Sequence, residues 1–168
     1  MSILIFGLQD LGTLILRARE LGREPDPKDV EPVTWAWGQE GRRCASTDFL
    51  DAIRTMHGIG RALGEFFQRY DLLLSTTMAN PPLPLGAMDM ANPDLDDYYD
   101  RCPMDELPFT PLFNEAGAPA MSVPLHWTDD GLPVGVHFGA RFGDEATLLR
   151  IAAQLEQARP WIQRRPPV

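Results

Sequence analysis

The chain has 168 residues, 44% of them hydrophobic and 23% charged, an ordinary globular balance and about one domain at ~150 residues each. Its net charge is −9, with scattered arginines and one lysine, Lys28. That excludes the clustered cations by which a protein holds nucleic acid or an anionic membrane surface.

The opening segment "MSILIFGLQDLG" lacks a basic leader and a small-residue cleavage site, and Asp10 interrupts its apolar run, so it does not read as a signal peptide. No stretch approaches the ~20 apolar residues of a membrane span. Residues 3–22 instead predict one amphipathic helix, the N-terminal helix of a 1–22 segment. Leu8, Leu11 and Ile15 share a face, Gly12 is a point of weakness, and Gly22 is a C-cap. After the loop "REPDPKD", the segment "VEPVTWAWGQEG" is short helical or irregular structure.

Residues 46–70 give the clearest helix. Ser46 or Thr47 can cap it, and Asp48 and Asp51 suit its positive end. Phe49, Ile53, Met56, Gly60, Leu63, Phe67 and Tyr70 fall on one stripe. A core-facing helix explains that stripe better than a coiled coil in so mixed a chain. "DLLLST" (71–76) is a buried strand. Residues 77–108 follow as a long proline-rich, acidic loop.

The block 109–161 then reads as strand, hairpin and helix. Pro108 suits a helix N1 position, Gly117 ends that short helix, and Leu107 and Pro111, four apart, share a face. "PAMSVPL" and "PVGVHFGA" are strands joined through an Asp130-Gly131 turn. A last helix opens at Gly143-Asp144-Glu145 and buries Leu148, Ala152 and Leu155.

Candidate chemistry is sparse. Gly135, Gly139 and Gly143 are spaced for close backbone packing, not for a dinucleotide or phosphate loop. His126 and His137 can pair across the hairpin if its turn centres on Gly131-Leu132, while His57 lies beside the helix stripe. Zinc normally needs three protein ligands, so no metal site is expected. The acidic run from Asp89 to Glu106 lacks the glycine and glutamate of a calcium loop and reads as a solvated surface. Cys44 and Cys102 match no zinc spacing and are expected to be reduced thiols in a cytoplasmic protein. The serines are Ser2, Ser46, Ser75 and Ser122. None stands in G-x-S-x-G or beside glycines that could gather oxyanion donors, and Ser122 alternates with Met121 and Val123 in a strand. No complete catalytic constellation is present.

Three ordered blocks do carry a resemblance: "YDLLLSTTMANPPLPLG", "FTPLFNEAGAPAMSVPL" and "DGLPVGVHFGARFGDEATLLRIAAQLEQARPW". They resemble the C-terminal part of the amidase signature family. The resemblance is dense from about Asp48 to Trp161. It implies an α/β fold, the C-terminal portion of an α/β/α sandwich with a mixed central sheet, with residues 1–168 forming a single partial domain. The family hydrolyses carboxamide C–N bonds with a serine, a second serine in a cis peptide, and a lysine. The portion carrying these has no counterpart here, and Lys28 lies in a loop placed downstream of it. No catalytic residue is therefore carried over, and no cofactor or metal is implied.

What the resemblance does imply is pocket wall. Leu107 and Pro111 match positions entering the block that lines the acyl cavity, with Phe109 beside them; packing in the core is the competing role. Two positions depart from the family pattern: "STT" at 75–77, and His137 where glutamine is common. The expected function is a C-terminal amidase fragment, inactive alone, whose small-molecule amide substrate belongs to the complete enzyme. Its expected partner is the N-terminal amidase portion in trans or a second copy. The alternatives are a non-catalytic binding or assembly module and a small hydrolase using Ser122 or a cysteine.

Overall fold

A computed structural model of the protein describes residues 2–101 and 107–166, with side chains from residue 5 onward. The elements are α1 (Ser2–Glu20), a 3-10 turn (Pro27–Asp29), α2 (Pro32–Arg43), α3 (Ser46–Phe66), β1 (Leu73–Thr76), α4 (Leu95–Arg101), α5 (Thr110–Ala116), β2 (Ala120–Trp127), β3 (Pro133–Gly139) and α6 (Glu145–Ala158). The chain divides into two compact units. The first is Met1–Thr55 with Leu83–Met104, the second Met56–Pro82 with Asp105–Val168. The boundary falls inside α3. Among the described residues no helix is long and apolar enough to cross a membrane.

In the first unit, α1 runs unbroken through Gly12 and closes in a Schellman cap. Gly22 N–H donates to the Arg19 carbonyl and Arg23 N–H to that of Ala18, with Gly22 at φ 66°, a conformation that costs glycine little. Arg23 then grips the Asp29 carboxylate through both guanidinium nitrogens. Asp26 caps the backbone N–H of Lys28, so the turn is tied to the end of α1. α2 begins at Pro32, where a missing N–H is no loss.

α1 packs on α2 through glycine. A Cβ on Gly7 would lie 2.9 Å from the Trp37 carbonyl oxygen, one on Gly38 2.8 Å from Leu14 Cδ1, and one on Gly41 would overlap the Gly7 carbonyl. Gly7, Leu14 and Ala18 are buried on this face, whereas Leu8, Leu11 and Ile15 are only half-buried. The buried stripe is thus set by small residues as much as by leucine. α4 occupies part of the expected 77–108 loop: Asp94 Oδ1 accepts from the N–H groups of Asp96 and Asp97, which starts a helix there.

In the second unit the sheet order is β1-β3-β2, all antiparallel. Both Ser75 and Ser122 lie directly opposite His137, one from each side. β2 carries a bulge between Val123 and His126, at Pro124, which has no N–H to give the ladder. The odd-numbered face of β3 carries Gly135, His137 and Gly139. It is covered by Phe113 of α5, packed with Leu63 and Phe67. The even-numbered face packs Phe138 and Ala140 with Val123 and with Leu148 of α6. The unit is therefore a sheet between two helical layers.

α3 ends at Phe66, short of the expected residue 70, and the stripe is a core face only around Leu63 and Phe67, since Phe49 and Tyr70 at its two ends are exposed. Its start is held by Asp48, whose carboxylate accepts from Ala45 N–H. α5 begins at Thr110 with Pro111 in its first turn, two residues later than Pro108 suggested, and ends at Gly117, φ 66°. Leu107 precedes the helix, so it shares no helical face with Pro111. The Asp130-Gly131 turn forms as expected, closed by Thr128, whose hydroxyl accepts from Leu132 N–H.

Candidate functional site

A cavity of about 420 Å³ opens in the second unit between α5 and the odd-numbered face of β3. Thr77, Thr110, Phe113, Asn114, Ser122 and His137 are among its lining residues. Among the described residues no charged side chain lines it.

The alternation of small and large residues on β3 builds this site. Gly135 leaves a gap above the middle strand, and across it Thr77 Oγ1 and Ser122 Oγ approach to 2.6 Å. A Cβ at Gly135 would stand 2.5 Å from the first and 2.6 Å from the second, so this bond between the two outer strands requires glycine. Two residues on, Ser75 Oγ lies 3.2 Å from Nδ1 of His137. Two further on, the bare backbone of Gly139 receives the Phe113 ring. That ring also meets His137 edge-on, with centroids 5.2 Å apart and planes at 74°.

His137 is only 4% exposed. Burial lowers its pKa from the ordinary 6.5, because the imidazolium would lose its hydration. The folded protein thus holds a neutral imidazole. The unfolded chain takes up a proton near pH 6.5 and the folded chain only below that, so stability present above about pH 6.5 is lost as pH falls towards the folded value. His137→Gln keeps a side chain that can hydrogen-bond to Ser75 and removes the titration. Urea midpoints of the wild type should fall more steeply from pH 7 to pH 5 than those of the variant. Parallel slopes would refute the assignment.

The arrangement provides a neutral ring and hydroxyls for hydrogen bonding. It does not provide an acyl-transfer centre. Ser122 sits in an extended strand, not in a turn that gathers N–H donors. Ser75 meets His137 through Nδ1, and among the described residues no carboxylate lines the cavity to stabilise an imidazolium.

The register does not pair the two histidines: His126 is exposed and faces Val134, while His137 faces the two serines. His57 is exposed on α3. Among the described residues no group of three His, Cys, Asp or Glu side chains could hold a metal. Cys44 is a free, half-buried thiol; Cys102 lies outside the described residues, as does the end of the acidic run. Leu107, Phe109 and Pro111 do not line this cavity. Their neighbours Thr110, Phe113 and Asn114 do. Asn114 escaped the sequence reading, which noted Ser75 and Thr77 only as a serine without a catalytic motif and as part of a departure from the family pattern, although G-x-H-x-G along one strand face already marks a place where something sits on the sheet.

Comparison with known proteins places these features in context. Residues 17–149 match the family model for Amidase. AmiC of Mycobacterium bovis is 35% identical over 159 residues, which is 95% of this chain and 33% of that protein. AmiC of Mycobacterium leprae is 43% identical over 110 residues, 66% of this chain and 23% of that protein. The solved structure of a 6-aminohexanoate cyclic dimer hydrolase superposes with a TM-score of 0.86 at 27% identity, covering 99% of this chain and 36% of that one. The chain thus spans 23% to 36% of the length of these three proteins.

Proposed function

The chain belongs to the amidase family and corresponds to the C-terminal part of its longer members, and from that premise we propose that it forms one wall of an amide-hydrolysing site without supplying the nucleophile. The observation that carries this is the uncharged cavity, in which a buried neutral histidine and paired hydroxyls are already satisfied by one another. Such a wall can accept and donate hydrogen bonds to a neutral carboxamide while excluding charge. Leu107, Phe109 and Pro111, at the entry to α5, would add apolar contact with the acyl part of that substrate. In this reading the chain is one partial domain, completed by an N-terminal amidase portion in trans or by a second copy. The acidic net charge and the unpaired Cys44 thiol fit a cytoplasmic setting.

A serine-directed fluorophosphonate probe tests the first half. The purified chain should remain unlabelled; labelling lost in Ser75→Ala or Ser122→Ala would revive an independent hydrolase and defeat the proposal. The second half is tested by adding the N-terminal portion of a full-length relative, with a chromogenic anilide as substrate. Turnover that neither piece shows alone is expected. A stable complex without turnover would instead establish a binding or assembly module, a role to which the self-satisfied hydrogen-bonded row is equally suited.

A further inference from the structure

A second cavity lies within the first unit and plays no part in amide hydrolysis as proposed above. Its volume is about 680 Å³, in the range of small-molecule sites. Three aromatic side chains line it, Trp35 and Trp37 from α2 and Tyr99 from α4, beside apolar Ala36, Pro93 and Leu95. Trp37 is 7% exposed and meets the Tyr99 ring edge-on at 5.2 Å between centroids and 81° between planes, so this corner is held by packing.

The charge around these rings has one sign left over. Glu40, Asp94, Asp96 and Arg43 line the cavity. Glu40 is paired with Arg43. Asp94 spends its carboxylate on the first N–H groups of α4. The Asp96 carboxylate has no hydrogen-bond or ion-pair partner among the described residues. An anion here would meet net negative charge. A bare metal ion would find no cluster of three ligands among the described residues. An organic cation, by contrast, gains on both counts: ring faces carry negative potential, apolar walls take its carbon body, and a free carboxylate takes its charge.

We propose that this cavity binds a protonated organic amine, an alkyl- or arylammonium, through Trp35, Trp37, Tyr99 and Asp96. The site lies in the first unit and stands whether or not the chain takes part in amide hydrolysis.

Phenethylammonium, titrated into the full chain and followed by calorimetry and tryptophan emission, is the probe. The neutral analogue 2-phenylethanol is the control, since it keeps the ring and loses the charge. Saturable binding at one site is expected, about tenfold weaker for the alcohol. Trp35→Ala and Asp96→Asn should each weaken the ammonium by about threefold to tenfold. Asp96 is exposed, so its variant should keep the wild-type circular dichroism, and the charge test survives even if Trp35→Ala unfolds. No saturable binding, equal affinity for the alcohol, or an Asp96→Asn chain that binds as well as wild type would overturn the proposal.

Discussion

Replacing Gly139 by alanine should destabilise the second unit by about 2–3 kcal/mol, near the top of the usual cost of overpacking a core. The reason is local. A methyl group at this position would occupy the space of the Phe113 ring. Phe113 is itself only 2% exposed, wedged among Leu63, Phe67 and His137, so it cannot slide aside without opening a void elsewhere. Phe113→Ala should cost about 3–5 kcal/mol for the reverse reason, a cavity over bare backbone. The double variant is the decisive measurement. The added methyl group then enters space the ring has vacated, so the two losses should fall short of their sum by more than about 1 kcal/mol. Urea denaturation of the four proteins closes the cycle. Strict additivity would mean that ring and glycine do not meet.

The second large effect is expected where α1 crosses α2. Gly41→Ala sets a methyl group against the Gly7 carbonyl. Both partners are backbone, so relief requires the helices to part, at a cost of about 2–3 kcal/mol. Gly12→Ala, in the same α1, should do the opposite. Nothing lies within 4 Å of that position, and alanine in a helix interior gains about 0.5–1 kcal/mol over glycine. Hydrogen exchange along α1 reads both: amides should exchange faster in the Gly41 variant and slower in the Gly12 variant. A Gly41→Ala chain with unchanged protection would show that the two helices do not meet at these glycines.

These two cases show what could be read from the chain and what could not. Long-period patterns were legible. The stripe from Phe49 to Tyr70 gave α3, the alternation of β2 and β3 gave the hairpin, and Asp130-Gly131 gave its turn. The glycines were legible as places of close packing on β3, but not what packs there, because the partner, Phe113, lies in a different element. In α1 and α2 the same residue type pointed the wrong way. Gly12 read as a weakness in the helix, whereas Gly7 and Gly41, which hold the crossing, left no periodic signal. α4 was hidden for a related reason: its helix is one cap and two turns, started by Asp94 inside a run whose composition reads as solvated acid.

The candidate site was legible only as type. The sequence reading puts Ser122 in a strand, and β2 carries it there. It could not give the register. One residue of slip would have turned His137 to the other face of the sheet, and the Pro124 bulge sets that register locally. The pocket-wall reading of Leu107, Phe109 and Pro111 rests on the family resemblance and not on a helix pattern. What no pattern gave is that α5, starting at Thr110, turns Thr110, Phe113 and Asn114 to the cavity over β3.

The turn after α1 has a use in labelling chemistry. Lys28 carries the one side-chain amine of the whole chain. It sits in an exposed turn whose backbone is pinned by Asp26 and whose next residue is clamped by Arg23. An amine-reactive dye placed there has a flexible tether but a rigid seat, joined through Arg23 to the end of α1. Its polarised emission would therefore report the tumbling of the first unit rather than the wagging of a loop.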